Sequence, residues 1–493
     1  MLTGLALQLL NGLAGASTLF LIAAGLSLIF GVTRIVNFAH GSMYMLGLYA
    51  AYSLTEAFGA GVFGFWGAVL LSALLVAALG ALVEIAVLRR VYLAPELFQL
   101  LATFAGGRLV RDAALWLWGP EDLLGPRAPG MKDAVEVLGR AFPRYDLFLI
   151  AVGPLVLAAL WWLLHRTRLG VLIRAATQDR EMLGTLGVDQ ARLFTGVFAL
   201  GAALAALGGA LQLPREPANL GLDLAIIGDA FVVVVVGGMG SIPGAWLAAL
   251  LIATIKAVCH GIGTVALLGI PVAFSKLTLV VEFLVMAAVL IWRPWGLLGR
   301  PPAAVRAAQA VEVPIRPMSA AASRWTWVLL ALLAALPLAA GNHPFALVLL
   351  IDVLIAVLFA ASLHFIMGPG GMHSFGHAAY FGLGAYGAAL LLKGLSMPME
   401  LALLLAPLAA LTGAMVFGGF AVRLSGVYLA MLTLAFAQIV WSVVFQWDEV
   451  TGGSNGLIGI WPSERFAART AYYYLSLATV AAGVWLMRRM LLS

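Results

Sequence analysis

GVTRIVNFAHGSMYMLGLYAA, residues 31–51, decides how the chain is organised, because a related stretch returns much later in the sequence. GPGGMHSFGHAAYFGLGAYGAA, which starts at Gly368, aligns with it without gaps. The identical pairs are Gly31/Gly368, Phe38/Phe375, His40/His377, Leu46/Leu383, Gly47/Gly384, Tyr49/Tyr386 and Ala51/Ala388. In each copy a long apolar run ends at a glycine-containing break, passes a histidine and restarts as a shorter apolar run. The repeat therefore predicts two related halves, each built around a broken helix.

The two breaks form the first candidate site, because non-helical backbone at membrane depth is tolerated only where protein buries it or where it lines a cavity. We therefore expect a translocation pathway lined by Asn37, His40, Gly41, Ser374, His377 and Gly384. The alternative is that both breaks are tight helix junctions, in which the two histidines hydrogen-bond between helices. A third, glycine-rich break at residues 232–246 occurs only in the first half and predicts either a re-entrant turn or a hairpin between spans.

Composition places the whole chain in a membrane. Hydrophobic residues make up 63% of the 493 residues and charged residues only 10%, whereas a soluble domain has roughly 25% charged residues. The apolar runs are continuous and about 20 residues long, which favours spanning helices over the alternating strands of a barrel. We predict an all-α, polytopic membrane helical bundle with spans at residues 4–30, 42–55, 64–88, 97–118, 146–164, 192–213, 225–236, 244–260, 270–292, 325–340, 345–367, 374–392, 401–421, 427–447 and 470–487.

Basic residues set the expected orientation, since lysine and arginine concentrate in cytoplasmic loops. Arg89, residues 166–192 and the polar stretch 293–324 all fall on one side of the membrane if the N-terminus is outside. The same pattern predicts a first half at residues 1–292, a cytoplasmic linker at 293–324 and a second half at 325–493.

RTRLGVLIRAATQDREMLGTLGVDQAR, residues 166–192, carries five arginines and three acidic residues between two predicted spans. Its apolar residues keep helical spacing, which predicts a pair of short amphipathic helices. Thr177 is expected to cap the second helix, and Gly187 lies just past its expected end. We expect this stretch to dock on a cytosolic protein. The alternative is an ordinary basic loop on the cytoplasmic side.

Several kinds of catalytic and metal site are excluded. The chain has no G-x-x-x-x-G-K-[ST] phosphate loop, so it cannot hydrolyse ATP in the P-loop manner. Its seven histidines include no H-E-x-x-H pair, and its one cysteine, Cys259, provides no thiolate cluster. The acids in the predicted spans, which form no evident pair, are Glu84, Asp112, Asp229, Glu282 and Asp352. Lys256 and Glu282 lie toward span ends, where their charged groups can reach the interface. We therefore expect no enzyme site, no bound metal or cofactor, and no nucleic-acid partner.

Long stretches of both halves resemble one family. NFAHGSMYMLGLYAA, RTRLGVLIRAATQDREMLGTLGVD, VVGGMGSIPGAWLAALLI and WRPWGLLGR, in the first half, resemble the H-type permease of branched-chain amino acid (LIV-type) ABC importers. GMHSFGHAAYFGLGAYGAALL, VRLSGVYLAMLTLAFAQIV and TGGSNGLIGI, in the second half, resemble the M-type permease of the same importers. The resemblance covers nearly the whole chain apart from the linker, and it implies a fused pair of permease halves.

The resemblance also implies partners and a location. It implies two cytoplasmic ATPase subunits that bind ATP and Mg, a periplasmic solute-binding protein, and a multi-pass position in a bacterial inner membrane with a periplasmic N-terminus. Within residues 166–192 it implies a coupling helix that fits a groove on an ATPase. The matching positions are Arg168, Gly170, Arg174, Asp179, Glu181, Leu186 and Gly187. The implied function is ATP-driven import of leucine, isoleucine and valine, or of similar small amino acids.

Other substrates and other classes of protein stay open. Urea and short-amide importers share this architecture, and an ion-coupled secondary transporter or a non-transporting remnant is the alternative of another class. An ion-coupled carrier is expected to show a buried acid pair, which the sequence does not reveal. WLLHRTRLG, residues 162–170, aligns with WLMRRMLLS, residues 485–493. We therefore expect the M-type half to be truncated, with its own coupling helix missing or carried on a separate chain.

Overall fold

The structure, a computed structural model, describes residues 2–92, 94–267, 270–299, 319–339 and 344–492. The chain divides into two compact units, Met1–Pro301 and Pro302–Ser493. Helices account for most of the described residues, and the few strands form two short hairpins. The predicted all-α, polytopic fold class is confirmed.

The first unit contains twelve α-helices within its described residues. They are α1 (Leu2–Thr33), α2 (His40–Phe58), α3 (Val62–Val83), α4 (Arg89–Val91), α5 (Glu96–Trp118), α6 (Arg144–Arg166), α7 (Arg168–Gln178), α8 (Arg180–Thr185), α9 (Gln190–Ala210), α10 (Leu222–Gly237), α11 (Ile242–Ile262) and α12 (Thr278–Trp292). A π-helical turn, Glu84–Leu88, joins α3 to α4. The antiparallel hairpins pair β1 (Ala134–Val137) with β2 (Arg140–Pro143), and β3 (Thr264–Leu267) with β4 (Ile270–Ala273).

The described part of the second unit contains seven more α-helices. They are α13 (Ala320–Ala339), α14 (Pro344–Met367), α15 (His377–Gly394), α16 (Met399–Ala421), α17 (Gly426–Gln446), α18 (Asp448–Thr451) and α19 (Arg469–Leu492). Short 3-10 turns follow α18 and precede α19.

Eleven helices of the described residues are long and apolar enough to cross a membrane, six in the first unit and five in the second. Each predicted span falls on a helix, although the span expected at 374–392 begins only at His377 because the break is longer than the glycine pattern indicated. The spans expected at 42–55, 97–118, 225–236 and 374–392 are helices too short or too polar to be among the eleven.

Close packing of α9 holds the first unit together. α9 lies against α1, α2 and α3, and small residues bring the backbones into contact. A Cβ on Gly47 would overlap the backbone of Ala206, and a Cβ on Gly209 would overlap the carbonyl oxygen of Tyr44. Small residues at such crossings are the usual way in which helices associate in lipid. Because α9 follows α7 and α8 directly, it connects the charged stretch to the broken helix.

The second unit has a smaller core, formed where α14 packs against α19. Its buried members are Leu347, Ile351, Leu354, Tyr473, Leu477 and Val480. The hydroxyl of Tyr473 donates to the carbonyl oxygen of Leu333 on α13 at 2.8 Å. Elsewhere in the unit α15 packs mainly against α16.

Candidate functional site

The first break lies between α1, which ends at Thr33, and α2, which begins at His40. Hydroxyl groups hold its backbone: the amide of Ile35 donates to Thr33 Oγ1 at 3.2 Å, and the amide of Phe38 donates to Thr103 Oγ1 at 3.3 Å. Thr103 lies on α5, so a third helix takes part in the junction. Such bonds satisfy backbone groups that the interrupted helix leaves free.

The second break, between α14 and α15, is held in the same way. The amide of Phe375 donates to Thr433 Oγ1 on α17 at 2.9 Å. Phe375 aligns with Phe38, so Thr433 does for this copy what Thr103 does for the first. The sequence analysis missed both threonines. A signal was present, since each copy has a threonine within an apolar run downstream of its break, but nothing local indicates which backbone amide it meets.

Both aligned histidines hydrogen-bond between helices, as the alternative interpretation predicts. His40 Nε2 lies 3.1 Å from the carbonyl oxygen of Ile22 on α1, and the side chain is fully buried. His377 Nε2 lies 2.7 Å from Ser362 Oγ on α14. Each histidine therefore ties the first turn of the restarted helix to the long helix before the break.

The six residues expected to line a pathway differ in their exposure. Asn37, His40, Gly41 and Ser374 are buried, whereas His377 and Gly384 are partly exposed. Asn37 Oδ1 accepts from the amide of Ala39 at 3.1 Å, which forms a local turn within the break. In this conformation the first break is closed by protein, and its role in a pathway stays a prediction.

The charged stretch folds as the predicted pair of short helices, α7 and α8. Thr167 Oγ1 accepts from the amide of Gly170 at 3.1 Å and caps α7. The prediction that Thr177 caps α8 is wrong, since its hydroxyl donates to the carbonyl oxygen of Arg174 at 2.7 Å within α7. Asp179 is the cap instead, and its Oδ1 accepts from the amide of Met182 at 2.9 Å. The turn between the helices falls two residues later than expected.

The residues that the resemblance assigns to ATPase coupling lie on both sides of this helix pair. Arg168, Asp179, Leu186 and Gly187 are exposed, and Leu186 keeps 74% of its surface. Gly170 is buried, and a Cβ there would overlap carbonyl oxygens at the end of α6. Arg174 is half-buried, and the side chain of Glu181 lies outside the described residues. Leu169, Val171 and Met182 on the same helix pair are exposed as well, and exposed apolar residues that form a patch mark protein interaction sites.

The inner side of α7 reaches the first break. A Cβ placed on Gly31, near the end of α1, would lie 3.4 Å from Gly240 Cα and 3.7 Å from Thr177 Cγ2. Gly240 belongs to the four-residue turn that makes α10 and α11 a helical hairpin, which is the form of the third break. Three separate segments, α7, the end of α1 and the glycine turn, therefore meet at Gly31.

Residues 293–299, expected as the start of the linker, pack on the end of α10. The amide of Leu297 donates to the carbonyl oxygen of Val236 at 2.8 Å, and the amide of Leu298 donates to that of Gly237 at 3.0 Å. These bonds satisfy carbonyl groups that the end of a helix leaves free. The segment therefore belongs to the packing of the first unit, and residues 300–318 of the expected linker lie outside the described part.

A charged triplet joins α10, α11 and α12. Lys256 Nζ lies 3.4 Å from Asp229 Oδ2 and 2.5 Å from Glu282 Oε2. The expectations that the membrane acids form no pair, and that Lys256 and Glu282 reach the interface from span ends, are therefore wrong. Their partners lie on other helices, so sequence spacing could not reveal the triplet. Ionisable groups inside spans usually pair with one another in this way.

Comparison with known proteins places this sequence in one family. The family model described as "Branched-chain amino acid transport system / permease component" matches residues 8–290 and 345–492. The high-affinity branched-chain amino acid transport permease protein BraD of Pseudomonas aeruginosa is 30% identical over 303 residues, covering 60% of this chain and 95% of its own length. LivH of Escherichia coli is 28% identical over 321 residues, with coverages of 60% and 95%.

The same comparison reaches a second type of permease. LivM of Escherichia coli, also a high-affinity branched-chain amino acid transport permease protein, is 26% identical over 307 residues, covering 56% of this chain and 67% of its own length. No solved structure matches the chain significantly. Since the family model matches most of the chain, in both units, the protein belongs to the branched-chain amino acid transport permease family.

Proposed function

We propose that the chain is the membrane permease of an ATP-driven importer for branched-chain amino acids. The observation that carries the proposal is the position of Thr177, on α7 of the docking stretch, against Gly31 near the end of α1, where Gly240 also lies. Leu186, just after α8, is exposed to solvent, and α7 contacts α1 through Thr177. A helix pair placed in this way is suited to transmitting a movement of a bound partner to α1. The names of BraD, LivH and LivM support leucine, isoleucine and valine as the cargo.

In this proposal the chain carries no enzyme site of its own. Two cytoplasmic ATPase subunits bind ATP and Mg, and one of them receives the docking stretch through Arg168, Gly170, Arg174, Asp179, Glu181, Leu186 and Gly187. A periplasmic solute-binding protein delivers the amino acid to the opposite face, where the N-terminus lies. ATP and the binding protein each favour one conformation, and the permease is the element that changes between the two.

The route for the amino acid passes the two breaks. We assign it to Asn37, His40, Gly41, Ser374, His377 and Gly384, within an H-type half at residues 1–292 and an M-type half at 325–493, which a cytoplasmic linker at 293–324 connects. Burial of His40 fits a state in which the first break is closed. A shift of α7 reaches Gly31 through Thr177 Cγ2, and Gly31 has no side chain of its own to separate its backbone from that of Gly240.

The docking face provides the test. Arg168→Glu combined with Leu186→Asp should leave membrane insertion intact, because both side chains are exposed. It should reduce co-purification of the ATPase and ATP-dependent leucine uptake at least tenfold, since interface anchors commonly contribute about 1.4 kcal/mol or more each. Arg90→Glu, an exposed charge reversal outside residues 166–192 but on the same predicted side of the membrane, is the matched control.

Two results would contradict the proposal. Unimpaired ATPase binding and uptake in the double variant would remove the docking assignment. Uptake by proteoliposomes that hold this chain alone, driven by an ion gradient, would favour a secondary transporter. Competition of labelled leucine uptake by unlabelled valine, urea and acetamide separates an amino acid importer from an importer of urea or short amides.

A further inference from the structure

Glu84 is a fully buried carboxylate that the proposed docking and pathway residues do not include. It begins the π-helical turn after α3 and has no solvent-exposed surface. Tyr92 Oη donates to its Oε1 at 2.9 Å, Arg89 Nη2 to its Oε2 at 3.2 Å, and Thr195 Oγ1 lies 2.6 Å from the same Oε2. Three donors from two helical segments therefore surround one buried charge.

The partners of Glu84 connect the end of α3 to the start of α9. Arg89 Nη2 also donates to Thr195 Oγ1 at 2.7 Å and reaches the carbonyl oxygen of Ala191 at 3.5 Å. Ala191 and Thr195 lie on the first two turns of α9, which begins at Gln190, shortly after α8 ends. The cluster thus lies at one of two junctions between the short helices and the helix bundle, the other being the position of α7 against Gly31.

The π-helical turn makes this cluster possible. In a regular helix a side chain meets residues three or four positions away, whereas Arg89 is five positions after Glu84. The amide of Arg89 donates back to the carbonyl oxygen of Glu84, as the wider turn requires. Single π-turns inside helices are rare and are found frequently at functional sites.

Four residues that follow Glu84 in the first unit recur in the second unit, where no acid stands at the corresponding position. Val-Tyr-Leu-Ala occurs at residues 91–94 and again at 427–430. Eight residues before the tyrosine of this run, the first unit has Glu84 and the second has Phe420.

We propose that Glu84 clamps the cytoplasmic end of α3 to the first turns of α9, so that both helices follow the docking stretch as one body. Glu84 is a positioning residue in this scheme, and Thr195 is its contact on α9. The inference rests on the proposed function, because the motion it transmits is the one that ATP hydrolysis drives. Losing the clamp should let α9 move without α3, so that ATP is hydrolysed with little transport.

Glu84→Gln and Thr195→Val test the clamp in proteoliposomes that contain the permease with its ATPases and binding protein. The ratio of leucine imported to phosphate released should fall at least about fivefold, the lower end of usual coupling between sites. Thr55→Val is the matched control, because Thr55 Oγ1, like Thr195 Oγ1, bonds the carbonyl oxygen four residues earlier but hydrogen-bonds no acid among the described residues. An unchanged ratio in Thr195→Val, or an equal fall in Thr55→Val, would overturn the proposal.

A distance measurement separates failure of the clamp from failure of the proposed function. Arg90→Cys and Arg192→Cys, both at exposed positions, carry spin labels in a Cys259→Ser background. The distribution of distances between the two labels should stay narrow with and without ATP, and Thr195→Val should broaden that distribution. A narrow distance in Thr195→Val overturns the clamp. If the wild-type complex imports no leucine while Thr195→Val broadens the distance, the proposed function fails and the clamp stands.

Discussion

The two copies of the broken helix share their local bonds but differ in their surroundings. In both, a threonine hydroxyl accepts from the phenylalanine amide of the break, and the histidine bonds back to the preceding helix. Yet 83% of the residues in the most apolar 18-residue stretch of α1 are buried, compared with 11% in that of α14. The motif therefore determines the break itself, whereas neighbouring helices determine whether the break is enclosed.

The neighbours that enclose the first copy are α9, α10 and α11. α9 covers α2 through Gly47, whose added Cβ would overlap Ala206, whereas a Cβ on the aligned Gly384 would meet nothing within 4 Å. The same glycine is thus a packing requirement in one copy and an ordinary helix residue in the other. Sequence identity between repeats does not carry over to equal tolerance of substitution.

The largest expected effect concerns the charged triplet that joins α10, α11 and α12. Lys256→Met leaves the buried carboxylate of Glu282 and the half-buried carboxylate of Asp229 without their shared cation. Since the side chains of Lys256 and Asp229 are 29% and 34% exposed, the cost should be about 2–3 kcal/mol, below the roughly 3–5 kcal/mol of a fully buried pair. The apparent free energy of unfolding in detergent should fall by that order. Lys393→Met, on the exposed end of α15, should change it by less than about 0.5 kcal/mol. Equal effects would mean that α10–α12 do not stabilise the first unit more than the exposed helices stabilise the second.

Gly47→Ala and Gly384→Ala sharpen the comparison at aligned positions. The first should destabilise by about 1–3 kcal/mol, because the new methyl group must displace the backbone of Ala206. The second should be neutral or stabilising by up to about 1 kcal/mol, since alanine favours the helix and the space is open. Thermal unfolding of the two purified variants measures the difference, and a larger loss in Gly384→Ala would reverse the argument.

The smallest effect is expected where the copies agree. Thr103→Val and Thr433→Val each remove the acceptor of one break amide, and each should cost about 1 kcal/mol. Amide hydrogen exchange at Phe38 and Phe375 should accelerate in the corresponding variant. A cost confined to one copy would show that the shared hydrogen bond does not have the same structural role in both.

Sequence reasoning succeeded where the signal is local. The breaks at residues 31–51 and 368–388 and the two short helices near 168–185 follow from glycine positions and apolar spacing. It failed at Thr177 because Asp179 is an equally good cap two residues later, and α7 continues to Gln178, which places Asp179 at the start of α8. The sequence indicated which residue types could break or cap a helix, but it did not indicate at which residue each helix begins and ends.

Long-range contacts were beyond the sequence for a different reason. Lys256 meets Asp229 across 27 positions, and Thr195 meets Glu84 across 111. Residues 293–299 read as the start of a polar linker, although their amides bond the end of α10. Such pairs depend on how helices pack against one another, which cannot be deduced from the spacing of residues in a single sequence.

The contact between Gly31 and Gly240 separates recognition from transmission. Backbone meets backbone there, while the side chains that would choose an ATPase, such as Arg168 and Leu186, are exposed on the docking helices. Point mutations at exposed positions such as Arg168 and Leu186 can therefore change the surface of the short helices without altering the contact between Gly31 and Gly240. Under the proposed function such a permease is modular: the same inner contact serves different ATPases, and exchanging the ATPase requires changes only on the surface proposed to face it.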